Sequence, residues 1–110
     1  MEVVAGLIEL KPDFNIALNK WKSYVQSNIE EALESIKNEG IEIESWFHLE
    51  LDGKNYLLTY TRCEDFERSQ NITAQSTLNI DQVHKTFKEC WGRGIKAEAI
   101  FELNNEHFND

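Results

Sequence analysis

The chain has 110 residues, 41% of them hydrophobic, and its 20 Asp and Glu outweigh its 11 Lys and Arg to give a net charge of -9. That length and composition fit a single domain able to bury one core without metal or disulfide staples. The acidity argues against nucleic acid or an anionic membrane surface as partner, because phosphate binding needs concentrated Lys and Arg, and no apolar run approaches the roughly 20 residues of a membrane span.

Glu2–Leu10 (EVVAGLIEL) is a nearly continuous apolar run, β-branched at its start, which suits a central strand covered on both faces. Gly6 weakens it slightly. Lys11-Pro12-Asp13 stops the strand, with Asp13 as the expected N-cap of a helix. Phe14, Leu18, Trp21, Val25, Ile29, Ala32, Leu33 and Ile36 then recur at spacings of three and four, one apolar stripe. The pattern predicts one helix over residues 14–39, about 39 Å long, ended by Gly40 in a left-handed conformation. A helix of that length either projects part of its stripe toward a second copy or buries all of it within one chain.

Two alternating runs, IEIESWFHLEL and KNYLLTYTR, meet at Asp52-Gly53, the strongest short-range hairpin signal, because the favoured two-residue turn needs positive φ at both positions. Pairing Leu51 with Lys54 sets Leu49 opposite Tyr56, Phe47 opposite Leu58, Ser45 opposite Tyr60 and Ile43 opposite Arg62. That side, the more apolar, is expected to face the helices. The other side, with Trp46, His48 and Leu57, is expected to be open.

Residues 64–75 (EDFERSQNITAQ) read as a short helix weakened by Asn, Ser and Thr and anchored by Phe66. Asn79, three residues before Gln82, has capping-box spacing and opens a second helix with the stripe Ile80, Val83, Phe87, Cys90 and Trp91. Gly92-Arg93-Gly94 should end it; because it follows a helix instead of opening one, it is no phosphate cradle. Residues 95–103 (IKAEAIFEL) alternate as a half-buried strand does, and residues 104–110 form a polar tail.

Strand, helix, two-stranded hairpin, broken helix, strand is the order of an α+β ferredoxin-like βαββαβ domain over residues 1–103, a four-stranded antiparallel sheet with helices on one face. The uncovered face would display Trp46, His48 and Leu57, and a homodimer packed sheet to sheet would bury it. Cys63 and Cys90 stand far apart, without metal-ligand spacing or an adjacent base to hold a thiolate, and no leader segment precedes them. A reduced, cytoplasmic protein is expected.

VVAGLIELKP, LESIKNEG, ESWFHLELDGKNYLLTYTR and IDQVHKTFKECW together resemble a bacterial domain-of-unknown-function family. That family is similar to the dimeric alpha/beta-barrel superfamily, which includes antibiotic-biosynthesis and heme-degrading monooxygenases, chlorite-dismutase relatives and rhamnose mutarotase. The resemblance implies the barrel fold and a homodimer but transfers no activity. Heme-degrading members use an Asn on the first strand, a Trp after the third and a His on the second helix. Here only His84 matches, so heme is disfavoured. The mutarotase His of the first helix is also absent from residues 14–39.

Two constellations carry candidate chemistry. Ser45, Tyr56, Tyr60 and Arg62 lie on the side expected to face the helices, and His84 could sit above them, its ring oriented by Asp81 three residues earlier. His84, Tyr60 and Arg62 would then be an acid/base or anion-binding set in an apolar cleft. The alternative is that His84 bonds a backbone carbonyl while Arg62 reaches out to Glu64 or Asp65. The second constellation is Glu44, Trp46, His48 and Glu50 on the other side, where carboxylates flanking a His could hold a divalent ion, although no recognised ligand spacing supports one. The expectation is therefore a homodimer that binds a small molecule between sheet and helices, with no cofactor or metal. A cofactor-free monooxygenase-like or mutarotase-like enzyme and a protein-interaction module are the alternatives.

Overall fold

A computed structural model describes residues 1–105. The expected tail over residues 104–110 falls mostly outside the described residues, as does His107. The elements run β1 (Glu2–Leu10), α1 (Phe14–Ser27), α2 (Ile29–Asn38), β2 (Ile41–Leu51), β3 (Lys54–Cys63), α3 (Phe66–Gln75), α4 (Asn79–Lys88) and β4 (Trp91–Ala97). All strand pairs are antiparallel, in the order β2-β3-β1-β4. This is the ferredoxin-like arrangement, with each crossover built from two helices.

The hairpin turn has φ 52° at Asp52 and 78° at Gly53, positive at both, as a two-residue connection matched to strand twist demands. Every pair expected from that turn is present, from Leu51 with Lys54 to Ile43 with Arg62. Gly40, at φ 70°, ends α2 as expected.

Three features differ from the sequence expectation. The helix expected over residues 14–39 breaks at Asn28, whose side-chain amide donates to the Tyr24 carbonyl at 2.9 Å and competes with the helical ladder there. The break turns α2 so that Ala32, Ser35 and Ile36 face the sheet, while Ile29 and Leu33 are exposed. Next, β4 begins at Trp91, paired with Leu10, and not at residue 95; Gly92-Arg93-Gly94 lies inside it. A Cβ at Gly92 would come within 3.1 Å of the Glu9 carbonyl, so glycine permits the two backbones to approach. Residues 98–103 belong to no strand.

The third difference is the face of the hairpin. Leu57 is 1% exposed and packs with Leu10, Phe14 and Phe87 in the core, where Trp21, Trp46 and Trp91 join it. The ring of His48 lies 5.4 Å from that of Phe14. Trp46, His48 and Leu57 therefore look toward the helices, and the expectation of a dimer face built on them is corrected. Ser45, Phe47, Tyr56, Tyr60 and Arg62 occupy the opposite side, because successive strand residues alternate. Both sides carry enough apolar residues to read as core, so alternation set the period and register without deciding which side turns inward.

Candidate functional site

Between the helix-facing side of the sheet and the helices lies a cavity of about 410 Å³. Its floor is β1 and β3, where Val4, Gly6 and Ile8 stand beside Thr61, Thr59 and Leu57. One wall is aromatic. His84 of α4 is stacked on Trp21 of α1 at 5.2 Å and lies 5.2 Å from Trp46 and 5.7 Å from Trp91. All three tryptophans of the chain line the cavity.

The wall follows from the helical stripes. Phe14, Leu18, Trp21 and Val25 repeat at three and four on α1, and Ile80, His84 and Phe87 do so on α4, so each sends one row of side chains to the sheet. The junction of α1 and α2 is tied to α4. The Tyr24 hydroxyl donates to the Glu31 carboxylate at 3.0 Å and accepts from Asn79 Nδ2 at 2.9 Å. Glu31 also accepts the Ile80 backbone N–H. The N-cap residue of α4 is Leu78, which has no side chain able to cap, and Asn79 is used against Tyr24. A carboxylate from α2 thus satisfies an orphan N–H of α4.

Three carboxylates also line the cavity: Glu39 after α2, Glu44 on β2 and Asp81 on α4. Glu39 accepts from Ser35 and Thr73, each at 2.7 Å, and Asp81 accepts from Ser35 at 2.9 Å and from Ser76. One hydroxyl carries one proton, so the two Ser35 contacts are both hydrogen bonds only when one of the carboxyls keeps its own proton. Burial pushes the pKa of Glu39 up, against the hydrogen bonds from Thr73 and Ser35. The Ser76 hydroxyl also accepts from the Leu78 N–H, so the connection over residues 76–79 is pinned to the wall.

Glu44 is different. Among the described residues its carboxylate has no hydrogen bond and no ion pair, although it retains surface open to the cavity. Glu44 is exposed at its open face, yet the protein packed around it, reinforced by the charges of neighbouring Glu39 and Asp81, pushes its pKa up to about 7. His84 moves the other way: burial, with Lys88 and Lys85 nearby, lowers its pKa to about 3, and its Nε2 has no hydrogen-bond partner among the described residues. It is a neutral ring in the wall.

The structure divides the predicted site residues between two sides of the sheet. Asp81 and His84 line the cavity, but Asp81 is engaged by serines and does not hold the His84 ring. Ser45, Tyr56, Tyr60 and Arg62 are across the sheet, so the catalytic set His84, Tyr60 and Arg62 does not converge. Tyr60 donates to Glu102 at 2.5 Å, and Arg62 lies 3.7 Å from Glu42 and 3.8 Å from Glu102, pairs different from the expected Glu64 or Asp65. Among the described residues, no cluster of three or more His, Cys, Asp or Glu is placed to hold a metal ion. Burial raises the thiol pKa of Cys63, which suits packing and not attack. Sequence reasoning missed the cavity role of Glu44; the clue was its position two residues from Trp46 on one strand face.

The sequence matches a family of unknown function, DUF6176, over residues 1–108. The chain belongs to that family. No protein with a curated description matches it. Among solved structures, it resembles an antibiotic-biosynthesis-monooxygenase-like protein from Deinococcus radiodurans, with 12% identity and a TM-score of 0.55 over 94% of this chain and 97% of the other. A de novo designed protein, Ferredog-Diesel, gives 14% identity and a TM-score of 0.50 over 88% of this chain and 85% of the designed one. At such identities the likeness is one of fold. A designed scaffold and a monooxygenase-like protein share the DUF6176 architecture, so function must be argued from the cavity itself. Among the described residues, no helix is long and apolar enough to cross a membrane.

Proposed function

We propose that this DUF6176 chain binds a small, largely apolar organic molecule in the cavity between sheet and helices. The observation that carries this reading is the cavity of about 410 Å³ walled by Trp21, Trp46 and Trp91, a size and lining typical of small-molecule sites. Filling so large an apolar space with side chains would have stabilised the fold, so retaining it points to an occupant.

The test uses the tryptophans, since all three line the cavity. Titration with neutral alkylbenzenes should shift tryptophan emission saturably and raise the melting temperature. Thr59→Phe, which places a ring in the cavity, should abolish both responses while the protein stays folded. A linear, unsaturable response that Thr59→Phe leaves unchanged would defeat the reading.

We also propose that the chain works as a homodimer packed through the side of the sheet away from the helices. Ile43, Phe47 and Leu51 are exposed in a row along β2, and Ile100, Phe101 and Leu103 are exposed beside Glu102, which contacts Tyr60 and Arg62 on that same side. An apolar face of this kind is ordinarily covered, and a two-fold sheet-to-sheet contact is self-complementary. Light scattering after size exclusion should give twice the mass of the chain.

A further inference from the structure

Resting on the reading of the cavity as a small-molecule site, we propose that its occupant is an organic cation, a primary amine or quaternary ammonium on an apolar body, with its charge at Glu44 and its body against Trp46 and Trp21. The argument begins with the partners of each charged group in the wall. Glu39 and Asp81 have serine and threonine donors. Lys88 sits 5.6 Å over the Trp91 ring and Lys96 5.8 Å over the Phe66 ring, so both cations already lie on aromatic faces. Glu44 is the one carboxylate of the cavity without a donor or a cation among the described residues.

A carboxylate partly screened from water and set among other acidic groups is stabilised by a proton or by a cation. Below about pH 7 Glu44 takes the proton. A ligand ammonium would take over that role. The neighbouring rings favour the same ligand. Trp46 follows Glu44 by two residues on one strand face, Trp21 lies 5.2 Å from Trp46, and all three line the one cavity, so a ligand with its charge at Glu44 has two indoles within the same space for its apolar body.

The groups that bear on the titration come from every packed element: Glu39 after α2, Asp81, His84, Lys85 and Lys88 on α4, and Lys96 on β4. His84 is neutral above its pKa of about 3, so near neutrality the proton that moves on binding belongs to Glu44.

The experiment compares cyclohexylmethylamine with cyclohexylmethanol and cyclohexanecarboxylate by calorimetry and tryptophan emission, using the folded full chain. The amine should bind at least about ten-fold more tightly than the alcohol, the carboxylate should not bind, and Glu44→Gln should reduce the preference to under about three-fold. For the unaltered protein, titration in buffers of different ionisation enthalpy should show up to about one proton released per amine bound at pH 6, fading above pH 8. Equal binding of amine and alcohol, or binding without proton release, overturns the cation and leaves the cavity reading standing. The absence of any tryptophan response to these three compounds and to the alkylbenzenes removes both.

Discussion

The two sides of the sheet have opposite characters. Toward the helices, β2 and β3 present Glu44, Trp46, Thr59 and Thr61, a mixture of charge, indole and hydroxyl around a cavity, while Leu57 is sealed in the core at one end. Away from the helices the same strands present exposed Ile43, Phe47 and Leu51 and half-buried Leu58, beside Ser45, Tyr60 and Arg62. In the proposed reading the polar groups directed inward serve a bound molecule, and the exposed apolar groups directed outward serve a dimer contact.

Substitutions on neighbouring residues separate the two sides most sharply. Leu57→Ala removes a side chain buried with Leu10, Phe14 and Phe87 and should cost about 2–5 kcal/mol in chemical unfolding. Phe47→Ala, on the exposed side, should cost less than about 1 kcal/mol in a monomer. Equal losses would mean that both sides are packed. Phe47→Glu should leave the circular dichroism spectrum unchanged and convert a dimer to a monomer; an unchanged mass would move the dimer contact elsewhere.

The ionisable groups sharpen the contrast. Glu44 holds a proton in the folded protein up to about pH 7 and in the unfolded chain up to about 4.5, so its stabilising contribution is full below 4.5 and lost as pH rises through 7. Glu44→Gln should therefore gain stability over the parent above pH 7, by on the order of 1 kcal/mol once water in the cavity is allowed for. A parent whose relative stability rises across that range would contradict a raised pKa. His84 shifts the other way, its stabilising effect present above 6.5 and lost as pH falls toward about 3. Its ring resonances should stay fixed between about pH 5 and 8, where an exposed histidine titrates. Tyr60→Phe deletes one exposed hydrogen bond to Glu102 and should change stability by less than about 1 kcal/mol, with no effect on cavity binding.

Much of the fold was legible in the chain. The Asp52-Gly53 turn set the hairpin register pair by pair, and Gly40 marked the end of the first crossover. What sequence could not reveal was tertiary. Asn28 reads as an ordinary position in a long apolar stripe until its side chain takes the Tyr24 carbonyl. Gly92 looks like part of a turn, yet it permits a close strand approach. The site was half legible. His84 and Asp81 line the cavity as expected, but Tyr60 and Arg62 were set beside them by a face assignment that followed apolar content alone. The place of Glu44 in the cavity lining was not legible, because the residues around it come from elements distant in sequence.

The most direct test of the central claim, that the occupied side is the helix-facing one, is a two-dimensional NMR titration with cyclohexylmethylamine. The account predicts saturable shifts at the indole N–H groups of Trp21, Trp46 and Trp91 and at the amides of Glu44 and Thr59, with Phe47 and Tyr60 little changed. Shifts confined to Phe47, Tyr60 and Arg62, with the indoles silent, would contradict it and place recognition on the open face.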